Sequence, residues 1–416
     1  MKHNGETQRT SFLSASLEDL PDQPEALTRA RAFAQPLLMG AALDTGEDVL
    51  AHADAVAQIL SVIGGSEAMQ AACYLVYAAE HLQKPEEVIA KAFGPSYAEL
   101  ALETTRLIRV QRQARAVSAE SQVAALQTEN VRKMLLAFSR DLRVVLLRLA
   151  SRLQTLRYYA ASKQLVPHSL AYESLHVFAP LANRLGIWQI KWEMEDLAFR
   201  FIDPQRYKDI AKLLEEKRIE REEFIAHTIE QLAQGLAARG IVSEVSGRPK
   251  HIYSIHNKMR NKQLAFSELY DVRALRVIVQ DERECYAALG FVHEHWEPVS
   301  DEFDDYISRP KPNGYKSLHT VVNDEAGRPF EVQIRTQAMH EFAEFGMAAH
   351  WRYKEAGPRG GQAALGQAPA VAEYDRQLAW MRQLLAWNTE AGAQPEEPQP
   401  SKSRRVTQDR IYVLSP

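Results

Sequence analysis

The feature that most constrains this chain is a change of texture at Gly240. Upstream, Ala, Leu, Gln, Glu and Arg dominate. Apolar residues there recur at three- and four-residue spacing, as in VRKMLLAFSRDLRVVLLRLASRL, which is the period of amphipathic helices. Downstream, short β-branched runs appear at 241–245, 275–279, 319–322 and 330–334, separated by helical patterns at about 251–263, 281–295 and 337–353. A chain with this break cannot be one helical bundle or one sandwich. It predicts an all-α part followed by an α/β part with a mixed sheet. Within the helical part, Asp203-Pro204 supplies an N-cap and a first-turn proline, and Gly240 sits where the last helix must stop.

The expected organisation is a helical domain over 1–165 and a second domain over 166–355. The second divides into a helical lead-in (166–240) and an α/β core (241–355). A Gly/Ala/Pro-rich linker over 356–408, with one short amphipathic helix, leads to a strand-like start of something further at 409–416. There is no internal repeat. A length of 416 residues suits two or three domains. No apolar run approaches the roughly 18 residues of a membrane span, and MKHNGETQRTSFLS lacks a signal-peptide core, so a cytosolic protein is expected. The two cysteines, Cys73 and Cys285, form neither a disulfide framework nor a CxxC pair. A net charge of −4 argues against a protein that coats nucleic acid nonspecifically.

Three segments between 245 and 350 hold residue types suited to phosphate chemistry. GRPKHIYSIHNKMRNK concentrates Arg248, Lys250, Lys258, Arg260 and Lys262, with no acid from 245 to 267. If a helix begins near His251, Ser254 and Lys258 share a face. Arg248 and Lys250 then precede a helix N-terminus whose N–H groups favour anions. Taken alone, the segment equally suits a solvated basic face. Two acids lie on expected strands: Asp271, with Arg273 two residues on, and Glu331 in FEVQIRT. There Val332 and Ile334 point one way, while Glu331, Gln333 and Arg335 point the other. An ordinary half-exposed strand has the same alternation. As a functional pair, Asp271 and Glu331 would suit Mg²⁺, which takes one or two carboxylates plus substrate phosphates. Third, the Pro-Asn-Gly turn of KPNGYKSLHT would present Tyr315 for stacking on a purine, with Lys311, Asn313 and His319 nearby.

Other chemistries lack support. NGYKS lacks the glycine spacing of a Walker A motif, and HEFAE at 340–344 ends in Glu344 where HExxH needs histidine. HEH at 293–295 has no partner ligands, and neither GxSxG nor a reactive-cysteine context occurs.

GRPKHIYSI, LYDVRALRVI, KPNGYKSLHT, EVQIRT and HEFAEFGMAAHWRYK, with APLANRLGIWQIKWEMEDLAF upstream, together resemble the RelA/SpoT family of alarmone enzymes. The resemblance implies a nucleotidyltransferase-like synthetase that moves the β,γ-pyrophosphate of ATP onto the ribose 3′-oxygen of GDP or GTP. It implies ATP-phosphate contacts from Arg248, Lys250, Ser254 and Lys258, and further ATP contacts from Arg273 and Arg276. Asp271 falls on the Mg²⁺ carboxylate, and Glu331 on the acid that binds metal and deprotonates the 3′-hydroxyl. Tyr315 falls on the guanine-stacking position, with Lys311, Asn313, His319, Gln333 and Ala343 around the GDP or GTP. Longer members continue into a TGS domain and modules that engage the ribosome and uncharged tRNA.

Two departures point to the synthetase-only branch. The hydrolase metal of bifunctional members needs a His, a His-Asp pair and a later Asp. Here His52 matches the first, but the pair falls on Leu75-Val76 and the last on Ser151. A lone histidine cannot hold that metal, so a helical pseudo-hydrolase is expected. Where bifunctional members carry a basic motif, this chain reads Glu302-Phe303-Asp304-Asp305, the acidic form that the resemblance links to altered metal dependence and a preference for GDP. Those acids also suit a solvated loop. The alternatives to a synthetase are an alarmone 3′-pyrophosphohydrolase and a non-catalytic nucleotide- or RNA-binding regulator that uses the basic segment 248–262.

Overall fold

The computed structural model describes residues 26–118, 141–216, 218–248, 250–266, 269, 273–311 and 313–345. The expected linker, its short helix and the 409–416 strand lie outside the described residues, as does Asp271.

The N-terminal part is helical, as the 3.6-residue period requires. Its helices are α1 (Ala26–Leu38), α2 (Val49–Val62), α3 (Glu67–Ala78), α4 (Pro85–Phe93), α5 (Pro95–Ser118) and α6 (Leu142–Ser162). Helix α3 is wrapped by α1, α2 and α5, and nine of its twelve residues are buried. From Ala71 to Ala78 every residue is buried, so this stretch has no solvent face. Helices α7 (His168–Glu173) and α8 (Ala179–Arg184), joined through a π-helical turn at Ser174–Phe178, lead into α9 (Trp188–Ile202). Helices α10 (Pro204–Glu216) and α11 (Arg218–Ala238) follow. The Asp203 carboxylate accepts from the Arg206 N–H at 3.0 Å, which starts α10 at Pro204. Gly240 takes φ +75°, the left-handed conformation that ends α11.

The α/β part contains β1 (Glu244–Gly247), α12 (Ile252–Lys262), β2 (Ala274–Val279), α13 (Glu282–His295), β3 (Glu297–Asp305), β4 (Leu318–Asn323), β5 (Pro329–Thr336) and α14 (Gln337–Phe345). The strands form one sheet in the order β1-β2-β5-β4-β3. Among the described strands only β2 and β5 pair in parallel, so the sheet is mixed, as expected. Strand β1 begins three residues later than the run at 241–245 predicts, because Ile241 turns into the core instead of pairing. Strand β3 replaces the loop reading of Glu302-Phe303-Asp304-Asp305: these residues form an edge strand, where acids are tolerated because one side faces solvent.

One face of the sheet is greasy. Leu275, Val277, Val279, Leu318, Val322, Phe330, Val332 and Ile334 pack on α11 and α13 through Leu232, Leu236, Cys285, Ala288, Phe291 and Val292. Phe330 is fully buried and meets Phe224 and Trp296 edge-on, each at 5.4 Å between ring centroids. Burial pushes the Cys285 thiol up to about 12, which makes it inert. The other face holds Arg276, Glu331, Gln333 and Arg335 in register, with His319 beside Gln333. Helix α9 packs against both α12 and α14.

At Gly235 of α11 a Cβ would collide with the Phe291 ring of α13. An alanine in a helix interior ordinarily stabilises by about 1 kcal/mol over glycine. Gly235→Ala is expected to do the reverse and lower the denaturant midpoint, because the ring is packed in the core. A raised midpoint would show that the helices separate freely there.

Candidate functional site

Glu331 lies at the centre of the polar face. Its Oε1 accepts from Gln333 Nε2 at 2.8 Å and lies 3.2 Å from His319 Nδ1. Its Oε2 lies 3.9 Å from Arg248 Nη1. Burial by itself pushes the carboxyl upward. The His319 hydrogen bond and charge, then Arg248 and Lys250, outweigh burial and hold Glu331 well below the usual carboxylate range. His319 Nε2 is 2.8 Å from the Tyr315 hydroxyl. Nδ1 of the imidazole faces Glu331, while Nε2 faces the tyrosine hydroxyl. Tyr315, His319 and Glu331 thus form a continuous hydrogen-bonded line.

Strand pairing explains the convergence. The Arg248 N–H donates to the Ala274 carbonyl at 2.8 Å, which pins the start of the basic segment to β2. Register places Ala274 opposite Glu331, so Arg248 reaches the carboxylate. Lys250, two residues on, is driven by burial down to about 7, with Glu331 opposing and Lys258, Arg248 and Lys262 adding to the fall. Burial also pushes the Lys258 and Lys311 ammonium groups down. Ser254 and Lys258 both lie on α12, partly buried. The basic segment is therefore not wholly a solvated face: Arg248, Lys250 and Lys258 are partly buried, whereas Arg260 and Lys262 stay exposed.

The N-terminus of α12, read from sequence as open for an anion, already holds one. Asp196 of α9 accepts from the Tyr253 N–H at 2.8 Å and the Ile252 N–H at 3.3 Å, and sits 3.3 Å from His251 Nδ1. A carboxylate some fifty residues upstream thus caps the helix. Periodicity could not find it, because the contact is wholly tertiary. Its Trp192 neighbour, one turn earlier, stacks on His251 with centroids 5.0 Å apart, and Arg248 lies over the same indole at 5.5 Å.

Arg276 and Arg335 share one carboxylate: Glu344 Oε1 is 3.1 Å from an Nη2 of each. Arg335 Nη2 also lies 2.7 Å from His340 Nδ1, which burial and then the two arginines push down to about 4. Gln333 and Arg335 are 3% and 2% exposed, so the polar side of β5 is roofed, unlike the half-exposed strand that alternation allows. The HEFAE string that fails as a metal motif thus supplies His340 and Glu344 to this cluster. A cavity of about 670 Å³ opens here, lined by Trp192, Asp196, Arg248, His251, Arg276, His340 and Glu344.

The KPNGYK turn forms as expected, with Gly314 at φ +80°. Tyr315 is not presented to solvent, however. It is 8% exposed and enclosed edge-on by Trp188 at 5.6 Å, Tyr306 at 6.1 Å and His319 at 5.7 Å. Lys311 Nζ sits 4.3 Å from the Tyr306 ring and 5.7 Å from that of Tyr315. Asn313 donates to the Asn183 carbonyl of α8 at 3.4 Å and accepts from the Tyr315 N–H at 3.3 Å. Ala343 is buried on α14, whereas Arg273 turns its guanidinium over Phe224 at 5.4 Å, away from Glu331. In the acidic strand, Glu302 pairs with Lys262 at 2.8 Å. Asp305 accepts from the Ile307 and Ser308 N–H groups and from the Tyr286 hydroxyl, while Asp304 pairs across the ladder with His319.

The helical part matches the HD domain family over residues 30–188, and the α/β part matches the family described as "Region found in RelA / SpoT proteins" over 247–358. Fold and site thus define a two-part protein, an HD-type helical domain joined to a RelA/SpoT-type sheet domain. The chain is 45% identical over 331 residues to a GTP pyrophosphokinase of Escherichia coli, a match that covers 80% of this chain and 43% of that one. It is 47% identical over 305 residues to the GTP pyrophosphokinase of Haemophilus influenzae (73% and 39%). It is 40% identical over 391 residues to a probable guanosine-3′,5′-bis(diphosphate) 3′-pyrophosphohydrolase of Synechocystis (94% and 49%). The chain belongs to the RelA/SpoT family. It spans less than half the length of these three relatives. Among solved structures it is similar to the small alarmone synthetase 1 of Bacillus subtilis bound to pppGpp, at 22% identity and a TM-score of 0.29, covering 44% of this chain and 96% of that one. No described helix is long and apolar enough to cross a membrane.

The Lys250 amine is expected to titrate near 7 when followed by NMR. Glu331→Gln removes a charge that raises it, so the value should fall further. Because the folded value lies below that of an ordinary lysine, the unfolded chain binds the extra proton between about pH 7 and the ordinary lysine range. The Lys250 contribution to stability therefore rises with pH across that window. A normal lysine titration would disprove the buried placement.

Proposed function

We propose that this chain is the catalytic part of a GTP pyrophosphokinase, transferring the β,γ-pyrophosphate of ATP to the ribose 3′-hydroxyl of GDP or GTP. The observation that supports it most is the ionised Glu331 held on the sheet floor between Arg248 and Lys250 on one side and His319 on the other. In this reading Arg248, Lys250, Ser254 and Lys258 hold the ATP phosphates, and Arg276 contacts ATP from the cavity beside Trp192. Arg273, turned toward Phe224, would reach ATP only by swinging back. Lys311, Asn313, Tyr315, His319, Gln333 and Ala343 surround the acceptor nucleotide. Tyr315 must leave its enclosure to stack on guanine, which breaks its bond to His319.

Glu331 takes the 3′-hydroxyl proton as the ribose oxygen attacks the β-phosphorus. The bond from that phosphorus to the α,β-bridging oxygen breaks, and AMP leaves. In the free protein the surrounding cations make Glu331 a weak base. Incoming phosphates draw Arg248 and Lys250 toward themselves, which raises the Glu331 pKa when a base is needed. Glu331 offers a hard, ionised oxygen of the kind Mg²⁺ selects, and its Oε2 is not tied to His319 or Gln333. Glu331 and Asp271 would hold the ion, which would neutralise charge on the phosphates. The Glu302–Lys262 pair ties the acidic strand to the end of α12, so Glu302, Asp304 and Asp305 would influence the phosphate-holding helix and through it the choice between GDP and GTP.

The helical domain is read as an inactive hydrolase. Its matching positions Leu75 and Val76 are 0% and 3% exposed and apolar, and Ser151 Oγ lies 3.0 Å from His52 Nε2, the nitrogen a metal would need.

Glu331→Gln is expected to lower formation of the 3′-pyrophosphorylated product by about 10²–10⁴-fold with ATP, Mg²⁺ and GDP, while nucleotide binding survives. Substantial turnover in that variant would remove Glu331 as base. No product from the folded wild-type chain under any condition would remove the synthetase reading. Incubation with ppGpp and Mn²⁺ should release no pyrophosphate, and release would restore hydrolase function to the helical domain.

A further inference from the structure

The cleft that a hydrolase metal would occupy is not collapsed. A cavity of about 270 Å³ remains between α2, α5, α6 and the start of α7. Its lining includes His52, Gln111, Arg112, Arg148, Ser151 and Arg152, and Asp44 supplies the one carboxylate in that lining. His52 is fixed at both nitrogens, by Glu47 Oε2 at 2.7 Å and Ser151 Oγ at 3.0 Å. Glu47 is held in turn by Gln154 Nε2 at 2.6 Å, so this buried carboxylate is already occupied behind His52.

The polar groups facing the cavity are arranged as donors. Gln111 Oε1 accepts from Arg148 Nη2 at 2.8 Å and Nε at 3.2 Å, which fixes the amide so that its Nε2 is the other branch. That Nε2 is buried without a hydrogen-bond partner, although the residue is 1% exposed. A native protein rarely leaves such a donor unmet. Arg148 also reaches Ser151 Oγ at 3.4 Å. Arg152 pairs with Glu173 at 3.1 Å and lies over Phe178 at 4.3 Å. Arg112 lies 3.3 Å from Asp44 and 3.6 Å from Glu80. Three guanidiniums and an unmet amide donor therefore face a space with one carboxylate at its rim.

The geometry points to a metal-independent site for a phosphate-bearing anion of pyrophosphate size in the pseudo-hydrolase cleft, held by Arg112, Arg148 and the free Gln111 Nε2. Guanidiniums and amide N–H groups are the donors that phosphoryl oxygens select. Among the described residues no group of three or more His, Cys, Asp or Glu side chains could hold a metal ion, so guanidiniums and the amide would supply the charge and donors in its place. The anion can come from free pyrophosphate or from the diphosphate of a nucleotide. This site is separate from the sheet site and does not depend on the synthetase reading.

The test uses the full chain carrying Arg248→Ala and Lys250→Ala, which disables the phosphate cations of the sheet site. Inorganic pyrophosphate is titrated calorimetrically in EDTA. One binding event is expected. Gln111→Glu keeps the acceptor for Arg148 but turns the unmet donor into a carboxylate oxygen, and it should weaken binding about tenfold or more. Arg112→Ala, at a partly exposed position, should weaken it as well. Thermal midpoints without ligand check that each variant is folded. GDP in place of pyrophosphate tells the sources apart: equal affinity assigns the site to a nucleotide diphosphate, and much weaker affinity assigns it to the free anion. Absence of binding in EDTA, or full affinity in folded Gln111→Glu, would overturn the proposal.

Discussion

A carboxylate can be buried only where donors and cations replace the water it has lost. Glu331 meets that condition through strand register. Parallel pairing of β2 with β5 sets Ala274 opposite Glu331, and the Arg248–Ala274 backbone bond brings the basic segment alongside. Antiparallel pairing of β4 with β5 places His319 opposite Gln333, two residues along β5 from Glu331 and on the same face. A register slip of one residue in β5 would send Glu331 into the apolar core and Val332 onto the polar floor. The greasy underside, with Phe330, Val332 and Ile334 fully buried, is what prevents the slip. Core packing and site electrostatics are thus two faces of one strand.

Helix α9 makes the second connection. It packs on the helices of the N-terminal part and also on α12 and α14. Its Asp196 caps α12, and its Trp192 stacks on His251 and underlies Arg248. Helix α12 is therefore fixed from outside its own domain core. Displacement of α9 would loosen the α12 N-terminus and move Arg248 together. Asn313 bonds to Asn183 in the same way, tying the turn that bears Tyr315 to α8. Both halves of the candidate nucleotide site thus touch the helical lead-in.

Much of this was legible in sequence. Four of the five described strands were recognisable because each carries a β-branched run, and FEVQIRT declared its two faces by alternation. The strand over 297–305 was not recognisable: its acids suit an edge exposed to solvent as well as they suit a loop. Among the site residues, Arg248, Lys250, His319, Gln333 and Glu331 come together in space, whereas Arg273 turns away toward Phe224. Asp196, Trp192 and Glu344 went unmarked, because an acid or indole on an amphipathic helix has no local signal of the distant group it meets.

By itself the sequence determined the division at Gly240, the fold class and the charge types gathered near the sheet, because hydrophobic period and turn chemistry act over a few residues. The apolar pair Leu75-Val76 and the hydroxyl of Ser151 belong with these, since they are read directly from the sequence. The tertiary structure decided which charges meet, how far Lys250 and Glu331 depart from ordinary titration, and that Tyr315 is enclosed. It also decided that a cavity stays open beside His52, with an unmet Gln111 donor. Those properties depend on desolvation and on distances of a few ångströms between residues far apart in the chain, which no local pattern specifies.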